Sequence, residues 1–184
     1  ADVSAMTYRA SVFLSPKLME NPGRITLYLA HELSHLHLYQ HIGGYRYIKV
    51  PTWFSEGLAA YASKGGGADR VTDSDVGVSI ASGNHFYPHD TAGIRDLFMK
   101  RNASYWNIEH EFKHHLFYRQ CMAFVAFIQR QHPTEFRKFL LDLEKGLPFK
   151  KAFAISFGTD TEAKWNAFKI DIGRSGANRY RIIF

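Results

Sequence analysis

Within the run His31-Glu32-Leu33-Ser34-His35, two imidazoles stand four residues apart, with a carboxylate directly after the first. On a helix that spacing places His31 and His35 one above the other, so both rings can be aimed at one point, and such a point can hold a zinc ion. Glu32 is rotated about a quarter turn away, where its carboxylate can reach a water at the metal without binding the metal itself. The run supplies two ligands and one base. A hydrolytic zinc site needs a third protein ligand and an open fourth position. The segment 51–61, PTWFSEGLAAY, offers Glu56 as its one acidic residue among aromatic and small side chains. An unpaired carboxylate in such surroundings is costly to bury.

The elements that must carry these groups have local signals. Asn21-Pro22 reads as an N-cap followed by proline at the first helical position, and Gly43-Gly44 as a stop, giving a helix over about 22–42 with the motif in its interior. On the helical wheel Ile25, Leu29, Leu33 and Leu36 form one apolar face, while Leu27, Tyr28, Leu38 and Ile42 flank the two histidines on the other. A helix apolar on two faces is expected to be buried on both, and buried histidines need partners, for which a metal is the economical explanation. Residues 51–61 read as a second, short helix. Ahead of both, 7–15 (TYRASVFLS) is rich in β-formers and reads as a strand ended by Pro16. Residues 48–50 read as a short extended segment before Pro51, and the neighbouring Tyr45 and Tyr47 as packing over the first helix in preference to contacting a substrate.

HELSH, followed twenty-one residues after its second histidine by the glutamate of WFSEGLAAY, resembles the gluzincin metallopeptidases, most closely the peptidase MA-like group and more distantly aminopeptidase N. The resemblance implies a zincin-like domain in which His31, His35 and Glu56 bind one Zn2+ and Glu32 is the general base and acid. It also implies an edge strand beside the active-site helix that lines the substrate cleft, the role then expected of 7–15. The triplet Met19-Glu20-Asn21 is similar to the substrate-amine motif of aminopeptidase N, but it lacks the glycine-led context and is set aside as coincidence. The helical run from 103 onward is similar to the C-terminal half of peptidase MA-like domains, so the resemblance covers about 7–172.

Length and composition bound the rest. With 184 residues, 46% of them hydrophobic, the chain suits a single domain over 1–184 with its own core. Its expected parts are an active-site core (7–64), a loop-rich stretch (65–102), a helical part (103–172) and a tail (173–184). The fold class is α+β, mostly helical, with a small N-terminal sheet edge and a C-terminal helical bundle. A net charge of +6, spread along the chain, gives no clustered basic face of the kind that nucleic-acid binding requires. No apolar run is long enough for a membrane span, and the first residues do not read as a signal peptide. Since residue 1 is Ala, the chain is expected to be a processed or trimmed product. The single Cys121 excludes an internal disulfide framework and reads as a small core residue. The compartment is open, with a secreted or periplasmic home suggested by analogy alone.

In the loop-rich stretch, 63–68 (SKGGGA) reads as a flexible connection, His85 and His89 as surface loop histidines ahead of extra ligands, and 94–100 as a short helix. Further helices are expected from about Trp106 or His114 to Gln131, over 133–145, over 148–157, and from a capping box of Thr159 and Glu162 onward. The tail is expected to dock through Tyr180 and Phe184. Attack on an amide creates an oxyanion that gluzincins commonly meet with a tyrosine or histidine donor. Tyr118 can fill that role or be an ordinary core tyrosine, with His114 and His115 as nearby alternatives. Three readings follow: a zinc peptidase acting on peptide or protein substrates, a catalytically lapsed zinc-containing binding or scaffold module, and a helical domain without metal.

Overall fold

The structure is a computed structural model and describes residues 5–8, 11–88, 108 and 110–175. At its start the β-rich run does not form one strand but folds back on itself. β1 (Ala5–Tyr8) and β2 (Ser11–Leu14) pair antiparallel, with Met6 opposite Phe13 and Thr7 opposite Val12. A lone strand would leave its backbone donors and acceptors unpaired, and the hairpin satisfies them locally.

Two 3-10 turns, Pro16–Glu20 and Pro22–Arg24, lead into α1 (Ile25–Ile42). Proline opens both turns, where its missing N–H has no intrahelical partner to lose. Asn21 makes no side-chain capping bond, so the expected N-cap is absent although the proline signal holds. α1 stops at Gly43, whose φ of 81° is left-handed. Beyond it comes a single helical turn, α2 (Gly44–Tyr47), and the segment expected to be extended, 48–50, is instead a turn that follows it, with Lys49 N–H donating to the Arg46 carbonyl and Val50 N–H to the Tyr47 carbonyl. Pro51 restricts only the residue directly before it, so its bias does not reach back to 48.

α3 (Thr52–Ala62) follows as expected, and α4 (Asp73–Ala81) does not: the stretch expected to be irregular contains a helix opened by a full capping box between Thr72 and Asp75. The helices α5 (Lys113–Gln131), α6 (Pro133–Glu144), α7 (Phe149–Phe157) and α8 (Thr161–Ser175) complete the described chain. α7 ends at Gly158 in the left-handed region. The cap of α8 is not the expected Thr159 and Glu162 pair, because Asp160 Oδ1 accepts from Ala163 N–H at 2.8 Å. The helix expected over 94–100, the start near Trp106, and Tyr180 and Phe184 lie outside the described residues.

The result is a mostly helical α+β architecture with one small two-stranded sheet. Its core is aromatic. Phe54 of α3 meets Phe139 of α6 and Phe149 of α7, each at a ring separation of 5.3 Å, and Phe124 of α5 meets Trp53 and Trp165, each at 5.0 Å. Cys121 is buried within it, as expected. α3 packs along α5 and, on another side, against α1. Gly57 permits that closeness: a Cβ there would come within 2.6 Å of the Cys121 carbonyl oxygen. α1 is buried along one stripe, Tyr28, His31, Glu32, His35, Leu38 and Ile42, and not on two faces, since Leu33 is 47% exposed. No helix among the described residues is long and apolar enough to cross a membrane.

Candidate metal centre

Steps of three and four along α1 bring Tyr28, His31, His35, Leu38 and Ile42 onto its buried stripe, and α3 lies against α1 with Glu56 at the contact. The three ligand atoms form a nearly equilateral triangle. His31 Nε2 and His35 Nε2 are 3.1 Å apart, and Glu56 Oε2 stands 3.2 Å from the first and 3.3 Å from the second.

Which atoms carry hydrogen follows from what lies behind the rings. His31 Nδ1 is 2.9 Å from the Gly66 carbonyl, which can only accept, so Nδ1 holds the hydrogen and Nε2 of the neutral ring presents a lone pair. His35 Nδ1 lies 3.0 Å from the hydroxyl of Tyr47, which can accept its hydrogen in the same way. Burial raises the Tyr47 phenol well above its ordinary range, and the Glu56 and Glu32 charges add to this, so Tyr47 stays neutral. Three electron-rich atoms then converge with no hydrogen between them, an arrangement that repels itself unless a cation sits at the centre. Burial alone would lower His35 and raise Glu56. Their mutual attraction outweighs it, lifting the His35 imidazole and holding the Glu56 carboxyl well below the usual carboxylate range, with His31 helping on the Glu56 side. A proton can fill the centre in part. A metal fills it more completely: ligand atoms about 2.0–2.1 Å from a tetrahedral zinc are separated by about 3.3 Å, and the observed edges match. Among the described residues no other group of three histidine, cysteine or acidic side chains converges in this way.

Compared with known proteins, the chain matches no family model, no curated protein and no solved structure.

The turn after α3 is not the flexible connection its composition suggests. Gly65 and Gly66 are buried, and Ser63 Oγ, buried as well, donates to the Ala59 carbonyl and accepts from Gly66 N–H. A Cβ at Gly66 would stand 2.4 Å from the Leu27 carbonyl oxygen, so only glycine lets this backbone lie on α1 and present its carbonyl to His31. A polar cluster surrounds the following residues: Asp69 pairs with the Arg24 guanidinium, Nε to Oδ2 2.7 Å, accepts from the Tyr28 hydroxyl at 3.3 Å, and has His115 Nδ1 3.4 Å away.

Glu32 is buried on the same stripe and is not one of the converging residues. Its Oε2 accepts from the Thr7 hydroxyl at 2.6 Å. Tyr118 of α5 lays its ring against that of His31, with centroids 5.7 Å apart and planes 21° from parallel, so it walls the site. His115 belongs to the Asp69 cluster, while His114 is exposed at the start of α5. His85 is not a surface loop residue. It is buried, its Nδ1–H donates to the Phe86 carbonyl and its ring meets Trp165, while His89 lies outside the described residues. Sequence reasoning missed Gly66 and Thr7 as site residues. The triple glycine after Tyr61 was the available signal for the first, and nothing local marks the second.

Proposed function

We propose that this chain is a zinc-dependent peptidase of the gluzincin type, similar to the peptidase MA-like group, that hydrolyses peptide bonds in peptide or protein substrates with Glu32 as general base and acid. The observation that carries the reading is the triangle of two imidazole nitrogens and one carboxylate oxygen, 3.1–3.3 Å on a side, with Glu32 beside it on the same helix. His31, His35 and Glu56 are the residues that would hold the metal. When bound, zinc polarises a carbonyl and lowers the pKa of water from about 15.7 toward about 7.

The chain's own residues supply the proton traffic. As the oxygen of water bonds to the peptide carbonyl carbon, Glu32 accepts the proton at a carboxylate oxygen, and it returns that proton to the amine nitrogen as the C–N bond breaks. Tyr118, in the wall beside His31, is proposed to donate to the oxygen on which negative charge develops. The Gly66 carbonyl and the Tyr47 hydroxyl keep the two imidazoles in one tautomer and one orientation throughout.

The test is digestion of a diverse peptide mixture by the zinc-loaded chain, with new termini read by mass spectrometry and Glu32→Gln run in parallel. Cleavage by the wild type and its loss in Glu32→Gln, with zinc content unchanged, is the expected result. A zinc-loaded wild type that cleaves nothing would instead indicate the lapsed module.

A further inference from the structure

From outside its own helix, the carboxylate of Glu32 is met by a side chain of the hairpin. Thr7 lies on β1 opposite Val12, and both are less exposed than Met6, Tyr8 and Phe13, so Thr7 belongs to the hairpin face turned toward α1. Its Oγ1 stands 2.6 Å from Glu32 Oε2 and 3.0 Å from the main-chain oxygen of the same residue. A threonine hydroxyl has one hydrogen to give. The shorter contact lies in the range of an O–H bond to a carboxylate, about 2.5–2.7 Å, so the hydrogen belongs to Oε2. Threonine is also stiff about χ1, and a bond made from it restrains what it holds more than one from a freer side chain.

We infer that Thr7 is a positioning residue for Glu32: its hydroxyl engages Oε2, fixes the rotation of the carboxylate, and leaves Oε1 as the oxygen that takes the proton from water and returns it to the leaving amine. The inference rests on the peptidase reading for its consequence in turnover, while the hydrogen bond itself stands independently of that reading. It gives the hairpin a duty toward the base that is distinct from any pairing of its edge with a substrate backbone.

The experiment compares Thr7→Val, which keeps the shape and removes the hydroxyl, with Thr7→Ser, which keeps the hydroxyl. In zinc-loaded protein, Thr7→Val is expected to lower kcat by about tenfold to a hundredfold, the scale of a small misplacement of a reacting group. KM, zinc content and melting temperature should stay near those of the wild type, and Thr7→Ser should recover most of the loss. A second readout does not depend on turnover. The carboxyl carbon resonance of Glu32 in 13C-labelled protein, assigned by its absence in Glu32→Gln, should move in Thr7→Val and return in Thr7→Ser. An active wild type matched in kcat by Thr7→Val, or a resonance that does not move, overturns the role of Thr7. Equal losses in the valine and serine variants also overturn it, because they would reflect packing alone. A zinc-loaded wild type without turnover overturns the peptidase reading instead, and the moved resonance would then show that the bond exists without that use.

Discussion

A partner on one imidazole nitrogen fixes the tautomer and aims the other nitrogen, and here two unlike groups are placed to do so, a backbone carbonyl for His31 and a phenol for His35. Removing the phenol tests the second arrangement. Tyr47→Phe should weaken zinc binding by about 10–100-fold, the usual effect of losing an orienting partner, measured by competition with a chelator of known affinity; an unchanged affinity would make Tyr47 a packing residue only. Gly66→Ala should be worse than its size suggests. Its methyl would collide with the Leu27 carbonyl, and relieving the clash moves the Gly66 carbonyl off His31. A loss of about 1–3 kcal/mol in denaturant unfolding, together with weaker zinc binding, is expected. That His31, His35 and Glu56 converge was legible in the sequence, because helical periodicity pairs the two histidines, an isolated acid stands out among aromatics, and the gluzincin resemblance implies the same three. Gly66 and Thr7 were not, because each reaches α1 only through the tertiary path of a turn or a hairpin.

Among the elements, helix starts separate signals that read alike in sequence. Thr72 with Asp75 and Thr159 with Glu162 both fit a capping box, yet only the first forms one, since Asp160 offers a carboxylate at the position that reaches the Ala163 N–H. Asp160→Ala should therefore cost about 0.5–2 kcal/mol, whereas Asn21→Ala, at a position with no side-chain capping bond, should stay within about 0.5 kcal/mol. Urea unfolding of the two variants side by side checks the contrast, and equal losses would contradict the assignment of the caps. α6 and α7 were readable from a proline at the start and a glycine at the end, and the close of α5 from His132-Pro133. The hairpin was not, because strand pairing depends on a partner that composition does not name, and α4 was hidden because its nine residues are too few to show a period.

Across the whole molecule, α3 joins two regions: one side meets the aromatic core through Trp53 and Phe54, and another carries Glu56 to the histidines of α1. Core and site therefore share a support. Zinc bound by the folded chain and not by the unfolded one would stabilise it by mass action, about 2.7 kcal/mol at a hundredfold excess over Kd. Chelation should accordingly lower the melting temperature of the wild type and leave that of Glu56→Ala unchanged; equal shifts would place the metal elsewhere. Whether His31, His35 and Glu56 together grip one zinc ion is decided by anomalous diffraction at the zinc edge from crystals grown with the metal. A single strong peak within bonding distance of both Nε2 atoms and Glu56 Oε2 is expected. Crystals containing ample zinc but no peak among those three atoms would contradict it.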